Sequence, residues 1–191
     1  PVRSPDELVL VTPGRGEARF GFSAQTLAEL RRSQTAFEDV CGYTRTSLTV
    51  EIPGLPRSLN LEALSDNCDV VLGRQPFIGR MLGEQDRALD TGAPGVAVVS
   101  HEFWTRTLNR DPQVIGRVLA TPRLPLTIVG VARPAAALDA DEGADLIVTL
   151  GAAARLAGRP SMLVVDAIGR LRPGVSIANA DSAMRALWPS V

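Results

Sequence analysis

Residues 96–132 combine strong local folding signals: VAVVSHEFWTRTLNRDPQVIGRVLATPRLPLTIVGVA. The apolar, β-branched run at 96–99 predicts a buried strand. Ser100 follows that run and can cap a helix, and Glu102 is favourable in the first turn of such a helix. Trp104 and Leu108 are four residues apart and therefore share one face. We expect a strand that leads directly into a short amphipathic helix.

The second part of this stretch predicts a further short helix and a hairpin. Asp111 followed by Pro112 is a helix-start signal, because proline suits the first helical position. Residues 117–120 and 126–132 are predicted to be two strands around a proline-rich turn. Such a unit can bury one core, and nothing in it has the pattern of a reaction centre.

Amino-terminal to this unit, the sequence predicts short elements of both kinds. We expect a strand at residues 8–11, a turn at 13–16 and extended structure again at 18–22. Ser23 can cap a helix that continues to about residue 33. The capping-box spacing at residues 35–38 predicts another short helix.

A hairpin and a short helix are predicted next. Residues 41–51 and 58–64 have the alternation of strands, and Glu62 belongs to the polar side of the second one. Ser65 or Asp66 can cap a helix through Leu72, which Gly73 would end.

The carboxyl-terminal part predicts a strand at 146–150, a helix at 152–157, a strand at 162–171 and a helix that Ser176 caps. The apolar face of that last helix comprises Ile177, Ala180, Met184 and Leu187. We expect this face to pack beside the 23–33 helix or on the sheet beneath it. Polar, glycine-containing segments at 83–94 and 158–160 are candidate boundaries and predict a two-part fold.

Composition excludes several functions. The chain has 191 residues and a net charge of −1, so it offers no basic field for a nucleic-acid backbone, and we expect no nucleic-acid partner. All twenty basic residues are arginine, which excludes a P-loop lysine or a Schiff-base lysine. No apolar run reaches the roughly 18–20 residues of a membrane span.

The chain contains few residues of the types that ligate soft metals or act as nucleophile and base. His101 follows Ser100, but neighbouring side chains at a helix start diverge, so a catalytic pair is not expected. His101, Cys41 and Cys68 lack the spacing of a zinc site. The two cysteines can form one disulfide outside the cytoplasm or remain buried thiols, and the sequence leaves both open.

Carboxylates are concentrated at Asp139, Asp141, Glu142 and Asp145. Oxygen-rich loops can bind calcium, but the EF-hand spacing is absent, so a solvated loop is the preferred interpretation. We therefore assign no catalytic, cofactor-binding or metal-ligating residue, and we expect no cofactor and no enzymatic turnover.

Several motifs together resemble the periplasmic core domain of MacB-like ABC transporter permeases. The resemblance covers residues 22–187, and it rests on the order and spacing of the motifs. The matching segments are Phe22-Ser23, Leu30-Arg31-Arg32, Phe37-Glu38, Ser65-x-Asn67, Val71-Leu72-Gly73 with Pro76 and Gly79-Arg80, Val96–Ser100 with Trp104, Asp111-Pro112, Ile115-Gly116-Arg117, Ile128-Val129-Gly130-Val131, and Gly169–Ser176. Cys68-Asp69-Val70 stands where the family has F-F-D, and Thr121-Pro122-Arg123 replaces its N-G turn.

The resemblance implies an α+β fold in which a sabre-like mixed α/β subdomain is inserted into a porter-like α/β subdomain. Residues 1–84 and 158–191 would form the porter-like part, and residues 85–157 the sabre-like part. Both chain ends would then leave the porter-like part toward the bilayer, with the sabre-like part projecting away.

The function implied is that of a non-catalytic extracytoplasmic domain, on the periplasmic or cell-surface side, which transmits motion or contacts partners in export. The implied partners are membrane helices of the same permease outside this chain, an ABC ATPase subunit or domain, and a periplasmic partner protein. Two alternatives remain. A ligand- or lipoprotein-binding module would need an apolar pocket with convergent polar groups. An enzyme would need a cleft with coupled titratable groups, and only the loop at residues 139–145 offers several of these.

Overall fold

In the computed structural model of the chain, the described residues are 3–12, 21–50, 54–87, 94–134, 143–158 and 164–187. The strands within these ranges are β1 (Leu8–Val11), β2 (Phe37–Thr49), β3 (Ser58–Leu64), β4 (Pro76–Gly79), β5 (Gly95–Val99), β6 (Val118–Leu119), β7 (Leu126–Ala132), β8 (Leu146–Thr149) and β9 (Asp166–Leu171). The helices are α1 (Ala24–Ser33), α2 (Cys68–Leu72), α3 (His101–Arg106), α4 (Leu150–Ala157) and α5 (Ile177–Leu187).

All the described strands belong to one mixed sheet with the order β1-β9-β2-β3-β8-β5-β7-β4, and β6 pairs with the first two residues of β7. The pairs β3–β8 and β5–β7 are parallel, and the remaining described pairs are antiparallel. The fold class is α+β, as the sequence predicts. We call β1, β9, β2 and β3 with α1, α2 and α5 the terminal half, and the remaining strands with α3 and α4 the central half.

Helices cover the two faces of this sheet unequally. On one face, α1 and α5 pack over β1, β9 and β2, while α3 and α4 pack over the central strands. The other face carries α2 and the segment with Met81 and Leu82. The side chains of β9 alternate between the two faces of the sheet. Ala167 and Leu171 point toward α1 and α5, whereas Ile168 points toward α2.

The predicted local elements of residues 96–132 are present except for one helix. Ser100 caps α3 by accepting a hydrogen bond from the Phe103 amide at 3.1 Å, and β6 and β7 form the predicted hairpin. No helix starts at Asp111, so that prediction is wrong. Asn109 and Arg110 have positive φ angles of 53° and 56°, and the Asp111 carboxylate accepts from the Gln113 amide, so the chain turns there.

The short helix predicted at residues 35–38 is also absent. Phe37 begins β2 instead, where it pairs with Leu171 and is 1% exposed. The Gln34 side chain accepts the hydrogen bond of the Phe37 amide. Sheet pairing and burial of the Phe37 ring outweigh the local capping signal.

The carboxyl-terminal helix lies where its apolar face predicts. Ala180, Met184 and Leu187 of α5 pack in the same cluster as Leu27 and Leu30 of α1. Ile177 is the exception, because its side chain is 63% exposed at the first turn of α5. A second cluster lies beneath α3 and α4 and includes Leu61 of β3. Val98, Ala132 and Ile147 of the central strands pack with α2 on the other face of the sheet.

The two-part division is not reflected in separate sheets, because a single sheet joins all segments. β4 lies within residues 1–84 and yet pairs with β7 of the central segment. The assignment of residues 1–84, 85–157 and 158–191 to two subdomains stays a prediction.

Some predictions concern residues outside the described ranges. These are the turn at 13–16, most of the extended segment at 18–22, the carboxylates Asp139, Asp141 and Glu142, and the two chain ends.

Candidate functional site

A groove opens where the carboxyl ends of the parallel strands β3 and β8 meet. These strands end at Leu64 and Thr149, and α1 and the first turn of α4 form the walls. The volume is about 750 Å³. Leu150 at the start of α4 contacts the cores of both halves. We call this cleft the seam groove, because β3 belongs to the terminal half and β8 to the central half.

The rim of the seam groove carries a chain of ion pairs. The Arg31 guanidinium donates to both carboxylate oxygens of Asp39, at 3.2 and 3.1 Å. It also lies 3.7 Å from Oδ1 of Asp66, and Arg87 donates to Oδ2 of the same carboxylate at 3.0 Å. The charged groups of the rim therefore neutralise one another over an apolar wall that includes Leu27.

The start of α2 is fastened to β2 below this rim. The Asn67 side-chain amide donates to the Asp39 carboxylate at 2.7 Å and to the Val40 carbonyl at 2.9 Å. Cys41 of β2 and Cys68 of α2 form a disulfide, with their Cα atoms 5.0 Å apart. The structure thus resolves the alternative that the sequence left open, and neither sulfur is available as a thiolate ligand.

A buried ion cluster lies beneath the other end of α2. Arg74 donates to Asp69 at 2.7 Å and to Glu62 at 2.9 Å, and the Leu82 amide donates to the second oxygen of Asp69. Glu62 is 0% exposed, so the prediction that it lies on a polar, solvent-facing side of β3 is wrong. The face is polar in sequence, but α2 and its following segment cover it.

The electrostatics of this cluster follow from burial. Burial raises the pKa of Asp69 above its ordinary value, although the charge and hydrogen bond of Arg74 oppose that rise. Burial disfavours the charge of Arg74, but Glu62 and Asp69 outweigh it and raise the pKa of the guanidinium. Arg74 is therefore a fixed cation between two carboxylates.

Arg170 of β9 is 1% exposed and makes contacts with three parts of the chain. Its guanidinium donates to the Val71 carbonyl at 2.7 Å, to the Arg3 carbonyl at 2.7 Å and to the Glu7 carboxylate at 2.9 Å. In the sequence, Arg170 stands out only as part of the family motif at residues 169–176. The sequence feature that could have identified its role is a single arginine among the apolar residues of a predicted strand.

Residues that the sequence singled out for chemistry are structural here. The Ser100 hydroxyl is occupied as a helix cap, and the His101 ring packs against Phe77 and Trp104. Asp145 accepts from the Asn60 amide, and burial raises its pKa. Within the described ranges, no three His, Cys, Asp or Glu side chains are grouped to hold a metal ion. A groove with an ion-paired rim and an apolar wall has the kind of lining found in binding sites.

Comparison with known proteins connects this architecture with a family. The family model of the MacB-like periplasmic core domain matches residues 1–187. The chain belongs to the MacB-like periplasmic core domain family. The resemblance stated from the sequence motifs is confirmed, and this family places the chain among the ABC transporter permeases.

Solved structures share the fold at low sequence identity. The periplasmic region of MacB from Actinobacillus actinomycetemcomitans has a TM-score of 0.68 and 16% identity, over 96% of this chain and 82% of that one. The extracellular domain of the noncanonic ABC-type transporter YknZ from Gram-positive bacteria has a TM-score of 0.70 and 14% identity, over 96% and 94%.

A domain of a putative permease protein from Porphyromonas gingivalis has a TM-score of 0.69 and 17% identity, over 100% of this chain and 86% of that one. Comparison with curated protein sequences found no match. None of the described helices of this MacB-like domain is long and apolar enough to cross a membrane.

Proposed function

We propose that this MacB-like domain lies outside the cytoplasm and transmits motion from an ATP-driven membrane part to an extracytoplasmic partner, without catalysing a reaction. Its partners would be membrane helices of the same permease, an ABC ATPase and a periplasmic partner protein. The observation that carries the proposal is the continuous sheet, because backbone hydrogen bonds connect β1, next to the amino-terminal segment, with β4 at the opposite edge. Packed, rigid elements of this kind can carry a displacement between distant sites.

The packing of β1 against α5 supports the same role. β1 follows the first described residues, α5 ends the last described range, and side chains of both elements pack in one core. In the two-part division, residues 1–84 and 158–191 would be the porter-like part next to the membrane. Residues 85–157 would be the sabre-like part that contacts a partner.

Flexible insertions test this proposal in the intact permease. A ten-residue Gly/Ser segment placed at each end of residues 1–191 should decouple the domain from the membrane, because such linkers transmit no directed force. Pulsed EPR would measure the distance between a nitroxide at Val118, which is 54% exposed, and one in a flanking membrane helix. We expect a change between nucleotide-free and ATP/vanadate-trapped transporter, and its loss after insertion.

The matched control is the same insertion at residues 54–57, in the exposed turn between β2 and β3. It should leave the nucleotide-dependent distance change intact. If the insertions at the chain ends leave that change intact as well, or if the original permease shows none, transmission of motion is the wrong function.

A second candidate, binding of a small ligand or lipoprotein, is favoured by the seam groove. Its volume and its apolar wall are in the range of small-molecule sites. Titration with a fluorescent N-acylated lipopeptide, compared with an Ala28→Trp variant that narrows the groove, tests this function. Saturable binding that the variant weakens at least tenfold would support it, and equal binding by both proteins would contradict it.

A further inference from the structure

Residues 3–7, which we call the N-terminal strap, are attached to the terminal half mainly through Arg170. The strap precedes β1 and is not itself a strand. Arg170 donates to the Arg3 carbonyl at 2.7 Å, to the Ser4 carbonyl at 3.4 Å and to the Glu7 carboxylate at 2.9 Å. One buried guanidinium therefore contacts both ends of the strap.

The same strap rests on the end of α2. The Arg3 amide donates to the Leu72 carbonyl at 3.0 Å, and Arg170 donates to the neighbouring Val71 carbonyl. These carbonyls belong to the last turn of α2, where helix groups have no intrahelical partner. Gly73, with φ of 66°, ends α2, and a Cβ atom there would lie 2.5 Å from the Arg3 Cβ. The strap fits against α2 because this residue is glycine.

α2 is also held at its other end and along its length. The disulfide with Cys41 fixes its first residue to β2. Asp69 connects α2 with Arg74, and Arg74 connects it with Glu62 in the middle of β3. β3 forms the terminal side of the seam, where it pairs with β8 of the central half. An unbroken set of directional contacts thus leads from the strap to the seam.

Fold stability alone does not require a charged residue at position 170. A buried ion pair contributes little net stability compared with apolar residues of similar volume, since desolvation offsets its Coulomb energy. A guanidinium differs from an apolar side chain in its fixed, planar set of donors, which imposes one geometry on its partners. That property orients the strap relative to α2.

We propose that Arg170 is the positioning residue through which displacement of the N-terminal strap reaches α2, and that α2 passes it through Asp69, Arg74 and Glu62 to the seam. This inference rests on the proposed function, because it names the route by which motion crosses the terminal half. Arg170 acts as a joint between the membrane-side segment and the sheet.

The first measurement is hydrogen exchange of the Arg3 amide in the 191-residue chain. Arg170→Met removes every strap contact of the guanidinium and keeps an apolar side chain. Exchange at Arg3 should accelerate about tenfold or more, since the strap then opens locally, while amides of β5 and β7 keep their protection. Arg172→Met is the matched control, because Arg172 is the exposed arginine two residues further along the chain.

The second measurement is the nucleotide-dependent distance change at Val118 in the intact permease. We expect Arg170→Met to reduce it to less than half, at an unchanged rate of ATP hydrolysis, and Arg172→Met to leave it as it is. If Arg170→Met does not fold, Gly73→Ala can be measured in its place. The added methyl group displaces Arg3 and leaves Arg170 unchanged.

The outcomes separate the two proposals. No distance change in the unmodified permease contradicts the proposed function itself. A full distance change in Arg170→Met or Gly73→Ala, with strap exchange already accelerated, overturns the inference about Arg170 and leaves the proposed function standing.

Discussion

The terminal half and the central half differ in the kind of buried side chain that stabilises each of them. Among the described residues, the buried charged side chains are Glu62, Asp69, Arg74 and Arg170, and all of them contact the face of the terminal half that α2 covers. In the central half the buried polar side chains are Thr121 and Thr149, and each makes a local hydrogen bond with the backbone.

The two kinds of interaction differ in how strictly they fix the geometry of the groups that they connect. Apolar burial is non-directional and depends on area, so the apolar contacts of the central half do not by themselves fix the orientation of its side chains. Hydrogen bonds and ion pairs depend on distance and angle, so the terminal half imposes one arrangement on the strap, α2 and β3. Under the proposed function, displacement would enter at the terminal half, which is where these directional contacts lie.

The largest expected effect comes from removing the shared cation of the terminal half. Arg74→Met leaves Glu62 and Asp69 buried without their partner and should cost about 3–5 kcal/mol of unfolding free energy at neutral pH. Urea unfolding monitored by circular dichroism measures it. Arg87→Met, which removes a largely exposed partner of Asp66, is the control and should cost under about 1 kcal/mol.

The cost of Arg74→Met should depend on pH. Burial raises the pKa of Asp69, so the folded chain keeps a proton that the unfolded chain has released. The contribution of this bound proton to the free energy of unfolding is fully present below the ordinary aspartate pKa of about 4. It is lost as the pH rises through the raised pKa of Asp69 in the folded chain. Removing Arg74 raises this pKa further, so the cost should grow as pH increases from 4. A cost independent of pH would show that Arg74 does not lower the pKa of Asp69 in the folded chain.

A substitution in the apolar core of the central half tests how much burial stabilises that half. Trp104→Ala should lower the free energy of unfolding by about 3–4 kcal/mol, because the ring is 7% exposed and its Nε1 donates to the Asp111 carbonyl. Phe77→Ala, at a half-exposed ring beside it, is the control, and equal costs for both variants would show that the cluster does not contribute through burial.

Removal of the disulfide should have an effect of similar size. In the chain-entropy description, a crosslink between residues 27 apart contributes about 3.5 kcal/mol. The Cys41→Ala/Cys68→Ala double variant should lose about this amount in urea unfolding, and hydrogen exchange should accelerate in α2 and not in β5. Reductant should not alter the stability of the double variant. Equal acceleration in β5 would mean that the two halves unfold together.

The smallest effects concern the helix caps, where the halves should not differ. Ser23 caps α1 and Ser100 caps α3, each by accepting from a backbone amide at 3.1 Å. Replacing either by alanine should cost about 1 kcal/mol in thermal or urea unfolding. A much larger cost in one half would show that its cap also supports tertiary packing.

Local signals in the sequence predicted what local chemistry decides. Strand β5, the caps Ser23 and Ser100, the β6–β7 hairpin and the end of α2 at Gly73 all lie where they were expected. Each depends on residues within one turn or one strand, whose preferences are present before the chain is folded. Family membership followed from the order of such segments.

Only the tertiary structure decided which faces are covered and which distant residues meet. Alternation along β3 separates two faces, but it does not show that α2 covers the polar one, so Glu62 was assigned to solvent. The Cys41–Cys68 pair, the place of β4 beside β7 and the contacts of Arg170 with a strap more than 160 residues away have the same origin. Such contacts form because chain segments far apart in sequence close around one sheet, and no periodicity within either segment encodes them.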